Sequence, residues 1–293
     1  MPHLPCSAAN ERSIVDSIRR DSQPMKAVET ANMTRRVFIT STATALATAP
    51  ALGHASDSKQ WRIGVVGHTG HGNFGHGIDT VWLNLPETKI VGVADADPNG
   101  REQAKQRLRC EHAFSSYREM IQQKQPEIVA VGPRHVDQHH AMIMAAIEGG
   151  AKGIYCEKPF CATLEQADQI VAACERSGTR FALAHRNRYH PALPVTNAAI
   201  EDGAIGKVLE IRCRGKEDAR GGGQDLWVLG THLFNLAAYF AGNPTACSAT
   251  YYAGDRPATA EDVVPGSEGI GPLAGDRLHA RYDTESGIPV FFD

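Results

Sequence analysis

The 293-residue sequence is poor in the features that mark an extracellular scaffold, a nucleic-acid surface or a membrane span. Its seven cysteines are an odd number and never form Cys-x-x-Cys. Cys156 and Cys161 bracket Lys158 at a spacing that suits no zinc module, so buried free thiols are expected. Aromatic residues make up 6% of the chain, too few for a base-stacking platform. A net charge of −3, with no long run of one sign, gives no electrostatic footprint for nucleic acid. The run Thr40 to Leu52 is too short and too threonine-rich to span a bilayer. What the chain does have is 42% hydrophobic residues, enough for roughly two domains.

Its beginning reads as a leader. Thr34-Arg35-Arg36-Val37-Phe38-Ile39 precedes the apolar run, and Gly53-His54-Ala55 supplies small residues for cleavage. The order is that of a twin-arginine export signal. Met33 directly precedes it, while residues 1–32 show no export character, so Met33 is a candidate natural start. The expectation is a removed or disordered leader over 1–55 and a periplasmic or exported protein, cytoplasmic if the leader does not function. No membrane span is expected after signal removal.

From Trp61 onward, strand and helix signals alternate. Trp61 to Val66 reads as a buried strand entering Gly67-His68-Thr69-Gly70-His71-Gly72-Asn73-Phe74-Gly75. Two registers compete: Gly67 is the first glycine, but Gly70, Gly72 and Gly75 fit G-x-G-x-x-G. Glycines let a backbone approach a pyrophosphate, whose charge then meets a helix N-terminus. Gly67, Thr69, Gly70, Gly72, Asn73 and Phe74 are therefore candidate cofactor contacts. A second strand, Lys89 to Ala94, ends in Asp95, placed to bind a ribose 2′-hydroxyl and repel a 2′-phosphate; this favours NAD over NADP. Asp97, before Pro98, reads as a helix cap.

Helices are predicted over Arg101 to Arg109, Tyr117 to Gln123, Val136 to Glu148 and Thr163 to Ser177. The last has Thr163 as N-cap and Gln166 completing a capping box. Strands are predicted over Glu127 to Val131, Gly153 to Cys156 and Arg180 to Ala184. Repeated units of this kind imply a parallel sheet covered on both faces. His68, His71 and His76 crowd the glycine turn, but no carboxylate or cysteine joins them at ligand spacing, and His139 and His140 form no metal motif, so no metal is expected.

Glu157-Lys158-Pro159 closes the strand Gly153 to Cys156. A lysine at such a strand end, downstream of a dinucleotide-type turn, can reach a reacting hydroxyl. With the glycine turn, Asp95, Pro133 followed by His139, Arg186-Asn187-Arg188-Tyr189-His190-Pro191, Gly206-Lys207-Val208, and Gly221-Gly222-Gly223 before Gly230-Thr231-His232, the pattern resembles the Gfo/Idh/MocA oxidoreductase family over residues 61 to about 240. The resemblance implies a Rossmann domain over 59–185. An α/β domain with an open, mainly antiparallel sheet would follow over 186–293, its outer face mediating homo-oligomerisation in the full-length family. It places Pro133, His139, Glu157 and Lys158 at the cofactor. Lys158 would lower the effective pKa of the reacting hydroxyl, and His232 would take its proton. Arg186, Asn187, Tyr189 and His190 begin the second domain at the cofactor edge as candidate substrate ligands. The family usually carries an aspartate four residues before this histidine and an acidic residue three after it; here those are Val228 and Asn235, with Asp225 a candidate substitute.

Further strands are predicted over Lys207 to Lys216, Ala246 to Ala253 and Arg277 to Asp283, with a helix over Leu229 to Ala241. The turn Glu285-Ser286-Gly287 leads to Ile288 to Phe292, read as a C-terminal hairpin strand with an unpaired edge. A shortened second domain is the hypothesis, which weakens the expectation of a homo-oligomer. Three functions follow: an NAD(P)-dependent oxidoreductase acting on a secondary hydroxyl of a sugar or polyol with tightly held nucleotide; an NAD-assisted, redox-neutral glycosidase or lyase; or an inactive nucleotide- or carbohydrate-binding homologue. Export favours a nucleotide that stays bound, because free NAD is scarce outside the cytoplasm.

Overall fold

The computed structural model describes residues 59–216 and 220–293; the leader, with Arg35 and Arg36, lies outside the described residues. The first sheet contains β1 (Trp61–Val66), β2 (Thr88–Ala94), β3 (Ala113–Phe114), β4 (Ile128–Val131), β5 (Gly153–Cys156) and β6 (Arg180–Leu183). All pairings are parallel, in the order β3-β2-β1-β4-β5-β6. Alternate residues supply two cores. Val66, Val129, Val131 and Ile154 pack on one face against Met120, Ile143 and Ile170, while Ile63, Val65, Val93 and Ala130 pack on the other with Phe74, Ile78 and Leu108. Each fully buried valine, leucine, isoleucine or methionine among them contributes roughly 1.5–3 kcal/mol of transfer free energy.

The connecting helices are α1 (Pro98–Arg107), α2 (Tyr117–Lys124), α3 (His139–Glu148) and α4 (Leu164–Ser177). Asp97 caps α1 by accepting from Gly100 N at 2.6 Å, and Pro98 occupies the first turn, where its missing N–H costs nothing. This start lies three residues before the predicted Arg101. Thr163 caps α4 as expected, but Gln166 Oε1 accepts from Ala162 N at 3.0 Å instead of closing a box on Thr163. Val136–Gln138 form a 3-10 turn, and the α-helix begins only at His139.

No α-helix lies between the glycine turn and β2 among the described residues. Residues 67–80 are turns, and one 3-10 turn, Val81–Asn84, precedes β2. Gly70, Gly72, Asn73, Gly75 and Gly77 all have positive φ, which a right-handed helix cannot accommodate. The expected helix N-terminus for a pyrophosphate is therefore replaced by a compact loop.

The second half begins with α5 (Ala192–Glu201). Its sheet is ordered β7-β13-β12-β8-β9, from β7 (Ile211–Cys213), β8 (Pro244–Ala253), β9 (Arg256–Pro257), β12 (Arg277–Thr284) and β13 (Val290–Phe292). A separate antiparallel ribbon pairs β10 (Val263–Pro265) with β11 (Pro272–Ala274). The pairings of the main sheet are antiparallel except β7 with β13. Residues along β12 alternate between exposed and buried up to Arg281, as the sequence predicts. One face packs on α6 (Gly222–Asp225), a π turn over Leu226–Gly230, and α7 (Thr231–Ala241).

Two expectations change here. β13 is not an edge: it lies between β12 and β7, with Phe292 buried. β7 covers three residues instead of ten, because its only neighbour in the sheet offers a three-residue ladder, and Leu209 beyond it is exposed. No helix among the described residues is long and apolar enough to cross a membrane.

Candidate functional site

The strand order reverses between β1 and β4, which opens a crevice at the carboxyl ends of the parallel strands. Gly67, Asp95, Gly132 and Glu157 all follow those ends. The glycine turn is held in place by its own backbone and by two neighbours. His68 N donates to Asn73 O at 3.0 Å, Asn73 N donates back to His68 O at 2.8 Å, and Asn73 Oδ1 accepts from Gly70 N. Gly75 has φ +67, and a Cβ there would lie 2.5 Å from Glu157 Oε2, so only glycine fits. Phe74 does not face outward from the turn; its ring is buried beneath Gly67 and belongs to the core.

Asp95 is 1% exposed and heavily engaged. Its carboxylate accepts from Thr69 N at 3.1 Å, Thr69 Oγ1 at 2.6 Å and Asp97 N at 3.0 Å. A carboxylate has about four acceptor positions, so a ribose hydroxyl here would share them with Thr69. Asp95 lines a cavity of about 320 Å³ with Gly67, His68, Ser116, Tyr117 and Met142. The cavity's position beside the glycine turn fits the adenosine end of a dinucleotide.

His139 is fully buried, and its ring bridges two loops instead of facing the crevice. Nε2 lies 2.7 Å from Pro133 O and Nδ1 2.7 Å from Pro159 O. Both ring nitrogens are thus engaged by the backbone of Pro133 and of the Lys158–Pro159 segment. Glu157, 2% exposed, links the same segment to the glycine turn. Its Oε2 accepts from His76 N at 2.9 Å, and its Oε1 from Lys158 N at 2.9 Å.

Lys158 opens onto a cleft of about 630 Å³ whose walls include Tyr155, Arg186, Asn187, Arg214, Leu229 and His232. Its Nζ donates to Val228 O at 2.8 Å. Burial pushes the Lys158 ammonium pKa down, partly opposed by Glu157 and Glu268. Burial also lowers the His232 pKa, followed by the charge of Lys158. His185, at the end of β6, stacks edge-on against His232 with ring centres 5.5 Å apart. Burial, then His232 and Lys158, pushes its pKa down to about 4.

The structure therefore brings Lys158, His232, Arg186, Asn187 and Glu157 to one cleft. Three other predicted residues do not line it. Tyr189 is 82% exposed, and His190 Nδ1 accepts from Ala192 N at the start of α5. Asp225 is buried against Gly215, behind the wall. Sequence reasoning missed His185 and the Val228 carbonyl. His185 follows a parallel strand, the same positional signal that marked Lys158; the carbonyl has no side-chain signal at all. His185 Nδ1, His232 Nδ1, Thr231 Oγ1 and Asn235 Oδ1 are buried without a partner among the described residues. Such orphaned polar atoms are uncommon, and their grouping in and beside the cleft fits a polar ligand.

Residues 61–185 match the family described as an oxidoreductase family with an NAD-binding Rossmann fold, GFO_IDH_MocA. This match covers less than half of the chain. The chain is 28% identical over 192 residues to D-apiose dehydrogenase of Paraburkholderia graminis, covering 62% of this chain and 51% of that protein. It is 29% identical over 216 residues to levoglucosan dehydrogenase of Pseudarthrobacter phenanthrenivorans, covering 66% of this chain and 54% of that protein. The chain thus spans about half the length of these curated relatives. Among solved structures, myo-inositol 2-dehydrogenase from Lactobacillus plantarum aligns with a TM-score of 0.62 at 20% identity, covering 80% of this chain and 69% of that one. Levoglucosan dehydrogenase in complex with NADH also gives 0.62, at 21% identity, covering 80% and 66%. These likenesses show the fold: a parallel six-stranded Rossmann sheet followed by a mixed sheet.

Proposed function

We propose that this chain is an NAD-dependent oxidoreductase acting on a secondary hydroxyl of a sugar or polyol, with its nucleotide tightly held. The observation that carries the reading is Lys158 at the end of β5, opening with His232 onto a cleft beside a Rossmann crevice. The relatives' activities toward apiose, levoglucosan and inositol support the substrate class. A bound nicotinamide would supply the hydride acceptor. The chain's own residues would manage the hydroxyl. One N–H of Lys158 goes to Val228, leaving two to hold the substrate oxygen and stabilise its developing negative charge. His232, kept neutral by burial, would take the hydroxyl proton. Arg186 and Asn187 would orient the remaining hydroxyls. Asp95 supports NAD over NADP by charge repulsion.

A second reading, the NAD-assisted redox-neutral glycosidase or lyase, draws support from Val228, which stands where the resemblance places an aspartate four residues before His232. The export signal read from Arg35-Arg36 supports a periplasmic location and a nucleotide that does not exchange. Mass spectrometry of nucleotide released by denaturing the purified protein tests both enzymatic readings. NAD(H) is expected, and an empty protein that fails to bind NAD would rule both out. Substrate turnover with net NADH formation favours the first reading; turnover without it favours the second.

A further inference from the structure

His71 and Asp137 are 66 residues apart in sequence, yet His71 Nε2 lies 3.0 Å from Asp137 Oδ2. His135 completes a cluster with them. Its ring centre is 4.2 Å from that of His71, and one ligand atom from each of the three residues falls within 4.8 Å of the others. A tetrahedral zinc site with bonds of about 2.05 Å needs ligand atoms roughly 3.3 Å apart, so the spread requires a closure of about an ångström or less per side chain.

The cluster sits on a fixed frame. Arg134 N donates to Gly72 O at 3.0 Å, and Gln138 Nε2 donates to His71 O at 2.9 Å. Val136 N donates to Glu268 O at 3.0 Å, which seats a loop of the second half on the same segment. A Cβ on Gly72 would approach Arg134 N to 2.5 Å, so the contact between the two loops is close. These bonds set the three side chains side by side before any ion arrives.

A simple imidazole–carboxylate hydrogen bond accounts for His71 and Asp137 but not for His135. Its Nδ1 is buried and has no protein partner. The exposed pair His279–Asp293, at 2.8 Å, shows the simple case without a third ligand. His71 and Asp137 remain 39% and 45% exposed, which leaves an open side for solvent to complete the coordination.

We propose that His71, His135 and Asp137 bind one divalent transition-metal ion of the zinc class. Two imidazoles and one carboxylate suit such an ion and disfavour magnesium or calcium, which prefer oxygen ligands throughout. The ion cross-links the glycine turn to the loop after β4. This assignment does not depend on the proposed reaction.

The test is calorimetric titration of Zn²⁺ into the tag-free full chain after chelator treatment and desalting. One ion should bind, and His71→Ala and Asp137→Asn should each weaken it by about tenfold or more, at least the loss seen for an outer-shell partner. His279→Ala should bind as the unmodified chain does. Circular dichroism on each variant separates lost ligation from lost folding. Co²⁺ added to the unmodified chain should give the visible absorption of a low-coordinate nitrogen–oxygen site, a readout that needs no variant. Absence of zinc binding and of that absorption overturns the proposal, as does binding that both folded variants retain at full affinity.

Discussion

Lys158 Nζ donates to the backbone carbonyl of Val228 at 2.8 Å, across the interval between the Rossmann half and the second half. The carbonyl belongs to a π turn, Leu226–Gly230, a geometry that frees backbone acceptors from the usual ladder and recurs at functional sites. The lysine thus keeps an acceptor where the family's usual aspartate is missing. Lys158→Met should reduce turnover per nucleotide-loaded molecule by about two to four orders of magnitude. Initial rates on a sugar and polyol panel, with nucleotide quantified in parallel, decide this. A rate within a few-fold of the parent would remove Lys158 from the chemistry.

The depressed His185 pKa predicts a pH window. The ordinary value is 6.5 and the folded value about 4, so below 6.5 the unfolded chain takes up a proton that the folded chain resists. Stability is therefore fully present above 6.5 and falls as pH drops toward 4. His185→Asn should flatten the melting temperature across that window, as differential scanning fluorimetry would report. An unchanged slope would place the acid sensitivity elsewhere.

Gly75→Ala forces a side chain into the left-handed region and against Glu157 Oε2 at 2.5 Å. Backbone strain alone costs of order 1–3 kcal/mol. Urea unfolding should show a loss of at least that size, accompanied by weaker nucleotide binding. Gly70, also at positive φ but with open space around it, should lose less when changed to Ala.

Asp95→Ala tests cofactor choice. Removing the carboxylate deletes both its repulsion toward a 2′-phosphate and the hydrogen bonds that hold Thr69. NAD affinity should fall by about tenfold or more, since hydrogen bonds to charged groups contribute about 1.5–3 kcal/mol. NADP should lose less, so the ratio of the two dissociation constants shifts toward NADP. Isothermal titration with each nucleotide measures this; an unchanged ratio would mean that Asp95 serves only the loop.

The sequence made the parallel sheet legible because the C-terminal halves of β1 and β2 and most of β4 are buried on both faces, and glycine or proline lies near the ends of these strands. Lys158 and His232 were legible from motif order. Other features depend on contacts distant in sequence. The route of the glycine turn is set by Glu157 and by the loop after β4, not by local helix propensity. Asp137 joins His71 only through that same packing, so no ligand spacing could announce it. Tyr189 ends the short 3-10 turn that holds Arg186 and Asn187, with His190 as its cap, and the direction of that turn decides which two face the cleft.

The interior position of β13 makes the second sheet depend on a contact between residues far apart in sequence. β7 has no other partner in its sheet, and roughly 80 residues of chain must be made before Val290 can pair with Ile211. The Rossmann sheet needs only nearest neighbours in its right half and can form earlier. Arg214 and Gly215, which wall the cleft opposite Lys158, follow β7 directly. By contact order, the parallel sheet is therefore expected to form before the chamber that faces it.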